Sequence, residues 1–324
     1  MDVNVIYRSL DSGPSIRKVF ESFVPHLEKS YNIRRIVVPD PGANPRAMLR
    51  NFMACLRAPK AAVNHVTGDI HYCVLAYRRR TTVLTIHDLN FLRLKRGFPR
   101  LVKYLLWVWL PVKYARRVVC ISEATREHLQ SIVKVCPDKI SVIVNPVAAA
   151  FVYRAKEFNA VQPRILHIGT KTQKNLPRVV RALGGISCHL RIIGRPDSES
   201  LAALAGMEYS FAENITDQQI VEEYAACDLV SFPSLYEGFG MPIVEGQAMG
   251  RVVLTSSLEP MHSVAGGAAI EVDPYDVASI RAGFEKCIAD AALREELIRM
   301  GLENARRYSP SGVAAQYHNI YDGL

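Results

Sequence analysis

The stretch Phe232-Pro-Ser-Leu-Tyr-Glu-Gly-Phe-Gly-Met-Pro-Ile-Val-Glu-Gly-Gln-Ala-Met249 reads as the end of a strand, a glycine-containing turn and the start of a helix. The expected strand 228–233 closes at Pro233-Ser234, and Pro242 stands where a first helical residue needs no amide hydrogen. A helix over 242–249 then points its amino terminus into the space above the sheet. Free amides and the positive end of the helix dipole suit a phosphate group there. Gly238 and Gly240 let a ligand approach the backbone closely. Glu237 lies in the turn and Glu245 in the expected first helical turn. Both carboxylates can face one ligand and accept hydrogen bonds from sugar hydroxyls.

The same strand–turn–helix unit recurs outward from this stretch. Strands are expected at 3–7, 36–38, 83–86, 118–121 and 141–144, then at 165–169, 190–194, 228–233 and 252–255. Helical segments lie between them, such as 16–28, 123–133, 176–183 and 218–226, and Ser122 is the expected N-cap of the second. Such alternation predicts an α/β protein with parallel sheets covered on both faces. A chain of 324 residues commonly forms two domains. The boundary is expected near 146–162, after Asn145-Pro146, where no clear element is visible. Two such units predict a ligand crevice at the carboxyl ends of the strands, between the domains.

An apolar content of 49% with 22% charged residues excludes disordered and fibrous classes. The longest strongly apolar run, 104–112, is nine residues and contains Pro111, too short to span a bilayer. The first residues hold no apolar signal core, so a cytoplasmic protein is expected. The seven cysteines form no Cys-x-x-Cys pair and are expected to be reduced core residues, with no metal site. Net charge is +9, but residues 1–150 carry 24 Lys/Arg against 10 Asp/Glu, whereas 151–324 carry 16 against 21. The halves thus face different partners.

Three further stations stand at predicted strand ends. In Ile165-Leu-His-Ile-Gly-Thr-Lys-Thr-Gln-Lys-Asn-Leu176, Lys174 precedes a helix start, where a cation opposes the dipole unless an anion sits between them. In Thr85-Ile-His-Asp-Leu89, His87 emerges at the carboxyl end of a strand, with Asp88 either orienting it or capping the next helix. Ser9-Leu-Asp-Ser-Gly-Pro-Ser15, with Gly13, comes after the first strand. Residues 91–119 carry eight cations (Arg93, Lys95, Arg96, Arg100, Lys103, Lys113, Arg116 and Arg117), no acid, and Trp107 and Trp109. Two readings of that segment stay open: a helix at an anionic membrane interface, or a core helix with solvated basic ends. No nucleic-acid motif accompanies the charge.

The Glu237-to-Glu245 spacing in its Pro-Ser-Leu-Tyr-Glu-Gly-Phe-Gly-Met-Pro setting resembles the Glu–seven residues–Glu signature of the retaining GT-B glycosyltransferases of group 1, family 4. The resemblance implies two Rossmann-like domains whose parallel sheets face across a cleft. Residues 1–150 would bind the acceptor and 151–310 the nucleotide sugar, with 311–324 a helix crossing back to the first domain. By resemblance Glu237 contacts donor sugar hydroxyls and Glu245 the ribose. Gly238, Phe239, Gly240 and Met241 would hold the diphosphate and sugar through turn amides. Gly169 and Lys174 match the family's Gly…Lys-Asn element, whose Lys neutralises the diphosphate. An Arg often succeeds that Gly, and here Thr170 stands instead, with Lys171 as its substitute. His87 matches a residue that touches the donor sugar, Gly13 a loop near the phosphates, and Asn214, Ile215 and Tyr224 the nucleobase region. The segment 64–72 also looks familial, with a structural role expected.

The implied activity is retaining, metal-independent transfer of a hexose from a GDP- or UDP-linked donor to a glycan or lipid-linked acceptor, in surface polysaccharide or glycolipid assembly. No cofactor is implied, and no Asp-x-Asp occurs for a donor metal. The departing diphosphate would itself take the acceptor proton. The rival readings are an epimerase or phosphorylase of the same fold, or an inactive membrane-associated scaffold.

Overall fold

The computed structural model describes every residue except Pro14 and 93–97, so Arg93, Lys95 and Arg96 lie outside the described residues. The chain forms two compact units: Met1–Pro146 with Pro310–Leu324, and Val147–Ser309. Each is built on a six-stranded sheet, and all the strand pairings are parallel.

In the first unit the strands are β1 (Asp2–Tyr7), β2 (Asn32–Val37), β3 (Val63–Val66), β4 (Thr82–Ile86), β5 (Arg117–Cys120) and β6 (Ile140–Val142). Their order is β2-β1-β3-β4-β5-β6. Successive side chains go to opposite faces. Val3, Val5, Tyr7, Val63, Val83 and Val119 join one core, and Ile6, Val66, Leu84, Ile86, Val118 and Cys120 the other. Helix Ser15–Leu27 covers the first face with Phe20, Phe23 and Val24, beside helix Pro310–Asp322. Tyr317 of the latter stacks on Phe23 at 5.0 Å, and the Tyr31 hydroxyl donates to Asp322 at 2.7 Å. Strand β3 was not expected, because its sequence Val-Asn-His-Val breaks the apolar run. Its polar members are buried with partners: His65 lies between the Tyr321 hydroxyl (2.6 Å) and Thr85 Oγ1 (2.7 Å).

In the second unit the strands are β7 (Arg164–Ile168), β8 (His189–Ile193), β9 (Glu208–Ala212), β10 (Leu229–Phe232), β11 (Val252–Ser256) and β12 (Ile270–Val272). The order β9-β8-β7-β10-β11-β12 is that of doubly wound dinucleotide-binding sheets. It reverses between β7 and β10, and in the first unit the reversal falls between β1 and β3. Loops leaving the carboxyl ends at such points form the crevice where α/β sheets bind ligands. Residues 147–162 contain no helix or strand, yet they are pinned to the second unit. The Asn159 amide donates to Asp228 at 3.1 Å, and Arg154 pairs with Glu222 at 2.9 Å.

The aromatic basic segment has both buried and exposed apolar side chains. Trp107, Val108 and Val112 are buried in the first unit, whereas Leu101, Leu105 and Trp109 are exposed on the same helical stretch. No helix among the described residues is long and apolar enough to cross a membrane. Six of the cysteines are buried, Cys136 is exposed, and all are free thiols.

Candidate functional site

The strand–turn–helix at 232–249 forms as its residues dictate, with its helix running Met241–Ala248. Gly240 caps it at φ +119, a conformation that side chains rarely adopt, and Pro242 is the second helical residue. The early start moves Glu245 to the fifth helical position, so the expectation of an acid in the first turn is corrected. Gly246 allows the helix onto the sheet, since a Cβ there would lie 2.9 Å from Val230 Cγ2 and 3.1 Å from Val253 Cγ2.

The loop after β7 meets this turn at the point where the strand order reverses. Gly169, at φ +94, lets the Lys174 stem cross it; a Cβ would stand 2.9 Å from Lys174 Cγ. Residues Thr172–Lys174 form a short 3-10 turn that ends at Asn175 in the left-handed region. The buried Asn175 side chain donates to the Pro233 (3.0 Å) and Pro274 (2.7 Å) carbonyls, and the Leu235 amide donates to Gln173 O at 2.8 Å. So tied, the two loops bring Lys174 Nζ to 2.6 Å from Glu237 Oε1 and 4.5 Å from the Phe232 ring centre. The protein's own Glu237 carboxylate thus supplies a negative charge opposite Lys174. Charge-assisted bonds of this length are among the stronger hydrogen bonds a protein makes.

Glu245 keeps some exposed surface, and its Oε2 accepts from the Tyr224 hydroxyl at 2.6 Å. Desolvation pushes its carboxyl up to about 7, against the Tyr224 hydrogen bond and the charge of Lys174, which pull it down. Tyr224 is fully buried, edge-on to Phe151 at 5.3 Å. That corrects the expectation of a nucleobase contact: its ring is core, and its hydroxyl holds Glu245. Sequence reasoning missed this role, which an isolated Tyr on helix Asp217–Ala226 does not signal. Nearby on β7, burial lowers His167 to about 4 and keeps it neutral. Its Nε2 and the Ser234 Oγ are buried polar atoms with no hydrogen-bond partner among the described residues.

The remaining expected residues of the second unit fall into four groups. Gly238 and Met241 are partly exposed in the turn. Phe239 is buried edge-on against Tyr308 at 5.7 Å, so only its backbone is left to face a ligand. Lys171 is exposed one residue after Thr170, whose side chain packs against Gly194. Asn214 is exposed in a left-handed turn, and Ile215 lines a different cleft of about 340 Å³ with Arg164, Arg191, Glu222 and Glu223.

In the first unit, His87 comes directly after β4 and donates from Nε2 to the Thr67 carbonyl at 2.8 Å. A carbonyl only accepts, so Nε2 carries the hydrogen and Nδ1 keeps its lone pair. Burial holds the ring below its usual pKa and therefore neutral. Gly68, at φ +135, makes room for it, since a Cβ would meet His87 Cδ2 at 2.7 Å. Asp88 accepts from the Asn90 amide at 2.8 Å, which makes it a turn residue. The Gly13 carbonyl accepts from Arg8 Nη2 at 3.1 Å, and Arg8 also pairs with Asp69. The segment 64–72 is structural: Thr67 Oγ1 donates to Ile6 O at 2.9 Å, and Tyr72 accepts from Asn51 at 3.0 Å. Among the described residues no three His, Cys, Asp or Glu side chains come together as a metal-holding group.

Residues 162–290 match the family model described as glycosyl transferases group 1, and residues 2–151 match that of glycosyltransferase family 4. The chain belongs to this glycosyltransferase family. Among curated members, it is 34% identical over 107 residues to O-antigen chain mannosyltransferase B of Escherichia coli, covering 33% of this chain and 28% of that protein. It is 25% identical over 216 residues to O-antigen chain mannosyltransferase RfbU of Salmonella typhimurium, covering 64% of this chain and 60% of that one. The chain spans about a third or less of the length of several of the curated relatives it matches. Of solved structures, the sucrose-phosphate synthase of Thermosynechococcus elongatus superposes with TM-score 0.82 at 16% identity over 100% of this chain and 99% of that one. Anabaena HepE in complex with UDP and glucose gives 0.79 at 14% identity, over 100% of both chains. These likenesses give the family's GT-B fold to the chain.

Proposed function

We propose that the protein transfers a hexose from a nucleoside-diphosphate sugar, GDP- or UDP-linked, to a glycan or lipid-linked acceptor with retention of anomeric configuration. The observation that carries this reading is the Lys174–Glu237 pair, set beside Glu245 and a helix amino terminus at the reversal point of the second sheet. A nucleoside-diphosphate sugar carries the complementary chemistry: a diphosphate for Lys174 and the turn amides, and hydroxyls for two carboxylates. Glu237 takes the sugar hydroxyls, Glu245 the ribose, and Gly238–Met241 the diphosphate through their backbone. In the first unit His87 Nδ1 is suited to accept a substrate hydroxyl hydrogen.

In the reaction the bond from the anomeric carbon to the diphosphate breaks as the bond to the acceptor oxygen forms on the same face. The acceptor proton passes to the departing diphosphate oxygen. Lys174 and the helix amides stabilise the charge that develops there, so no side-chain base is needed. The O-antigen names of the relatives support a place in surface polysaccharide or glycolipid assembly. Exposed Leu101, Leu105 and Trp109 with Arg100 support peripheral contact with an anionic membrane.

Trapping the product tests the reading. Donor and acceptor extract are incubated with enzyme, and the glycoside is identified by mass spectrometry and its anomer by NMR. An α-linked donor is expected to give an α-linked product; an inverted product, or a free epimerised nucleotide sugar, contradicts it.

A further inference from the structure

A second charged site lies in the first unit at the opposite end of its sheet from His87. Arg79 and Arg80 precede β4, Arg116 precedes and Arg117 opens β5, and Lys139 precedes β6. All five therefore gather at the amino-terminal edge of neighbouring parallel strands, whereas His87 stands just past the carboxyl end of β4. The five-residue β4 separates the two places by about 15 Å at the usual rise per residue.

These side chains line one cleft of about 680 Å³, with Ala115, Cys136, Asp138 and Leu324 completing its walls. Five cationic side chains thus share the cleft lining with a single acidic side chain, that of Asp138. None of the five forms an ion pair with an acid among the described residues. Arg117 instead donates to the Asp138 carbonyl at 2.5 Å and Lys139 to the Lys113 carbonyl at 2.9 Å. Carbonyls orient these groups without neutralising them. Burial and the like charges of Arg79, Lys113 and Arg116 pull Lys139 down to about 8. Such clustering costs folding energy through self-repulsion unless an anion offsets it.

We propose that this cleft binds a phosphate-bearing anion through Arg79, Arg80, Arg116, Arg117 and Lys139, separately from the site around Lys174. Guanidinium forks match phosphate oxygens two at a time, and four of the five groups are arginines. The volume admits several phosphates or a phosphorylated headgroup rather than one small ion. The proposal does not rest on the transfer reading, since no residue of the cleft belongs to that site.

Cys136 offers a local readout, being the exposed cysteine of the seven and part of the cleft wall. The rate of its modification by an uncharged maleimide is measured with inorganic tripolyphosphate, with phosphatidylglycerol–phosphatidylcholine vesicles, with pure phosphatidylcholine vesicles, and with chloride at matched ionic strength. Tripolyphosphate at ten times its dissociation constant is expected to slow modification about tenfold, because about one site in eleven stays free. Lys174→Ala, which alters no residue of the cleft, is expected to keep the protection, so the two sites are told apart. Protection by anionic vesicles alone assigns the phosphate to a membrane headgroup; protection by tripolyphosphate alone assigns it to a soluble anion. Protection by both fixes the chemistry as phosphate from either source. The double charge reversal R79E/R116E, both exposed positions, is expected to abolish protection while leaving the melting temperature and donor binding intact. Equal rates in all four conditions, protection by chloride, or protection that survives R79E/R116E would overturn the proposal.

Discussion

At the scale of single residues, the raised pKa of Glu245 makes the proposed donor recognition dependent on pH. A carboxylate accepts two ribose hydroxyls, whereas a carboxylic acid offers a poorer acceptor pair. With ionisation near 7, the ionised fraction rises about tenfold between pH 6 and pH 8, and donor affinity is expected to rise with it. Calorimetric titration with a nucleotide sugar, whose diphosphate diester does not titrate there, checks this; Glu245→Gln should bind weakly at every pH without the slope. The stability consequence has the opposite sign. The folded pKa lies above the ordinary 4.5, so the folded state holds the proton more tightly, and Glu245 lowers stability as pH rises from 4.5 through about 7. For the ion pair, Lys174→Ala and Glu237→Ala should each lower kcat/KM by about 100-fold, roughly 3 kcal/mol of transition-state stabilisation. The double mutant should cost less than the sum, because the two side chains contact each other. Strictly additive losses in steady-state kinetics would separate their roles.

At the scale of elements, the site's legibility tracked its chemistry. The run from Glu237 to Glu245 announced itself because two acids, two glycines and a proline have few reasons to share one turn. Lys174 was legible for the same reason: a cation at a helix start contradicts the dipole. Tyr224 was not, since a buried hydroxyl finds its acid, Glu245, only once the chain has folded. Strands β3, β9 and β12 were also hidden. β3 carries Asn64 and His65, satisfied across the sheet, and β9 is an edge strand with Glu208, Tyr209 and Phe211 exposed. β12 is only three residues long. The contact of helix Met241–Ala248 with its sheet yields a further prediction. Gly246→Val places methyls where Val230 and Val253 already stand, and should lower stability by about 2–3 kcal/mol in urea denaturation of the second unit. An unchanged midpoint would mean that the helix can lift from β10 without cost.

At the scale of the whole molecule, the chain returns to the first unit with its last helix, whose Tyr317 is fully buried against Phe20 and Phe23. Tyr317→Ala should cost the first unit about 3 kcal/mol, read as a lower melting temperature, and leave donor affinity in the second unit unchanged. The charge asymmetry of the sequence matches this division. The +14 half contains the basic side chains of the cleft, and the −5 half carries the carboxylates of the proposed donor site. Alternation of strands and helices made the two sheets legible, whereas the strand order was not, because parallel crossovers leave no sequence mark of which neighbour they reach. The central claim, that the Lys174–Glu237–Glu245 group holds a nucleotide sugar, is tested most directly by a thermal-shift panel of UDP- and GDP-hexoses. At least one donor is expected to raise the melting temperature of the wild type and to leave that of Lys174→Ala unmoved. A panel in which no nucleotide sugar stabilises the wild type, or in which Lys174→Ala responds as strongly, would contradict it.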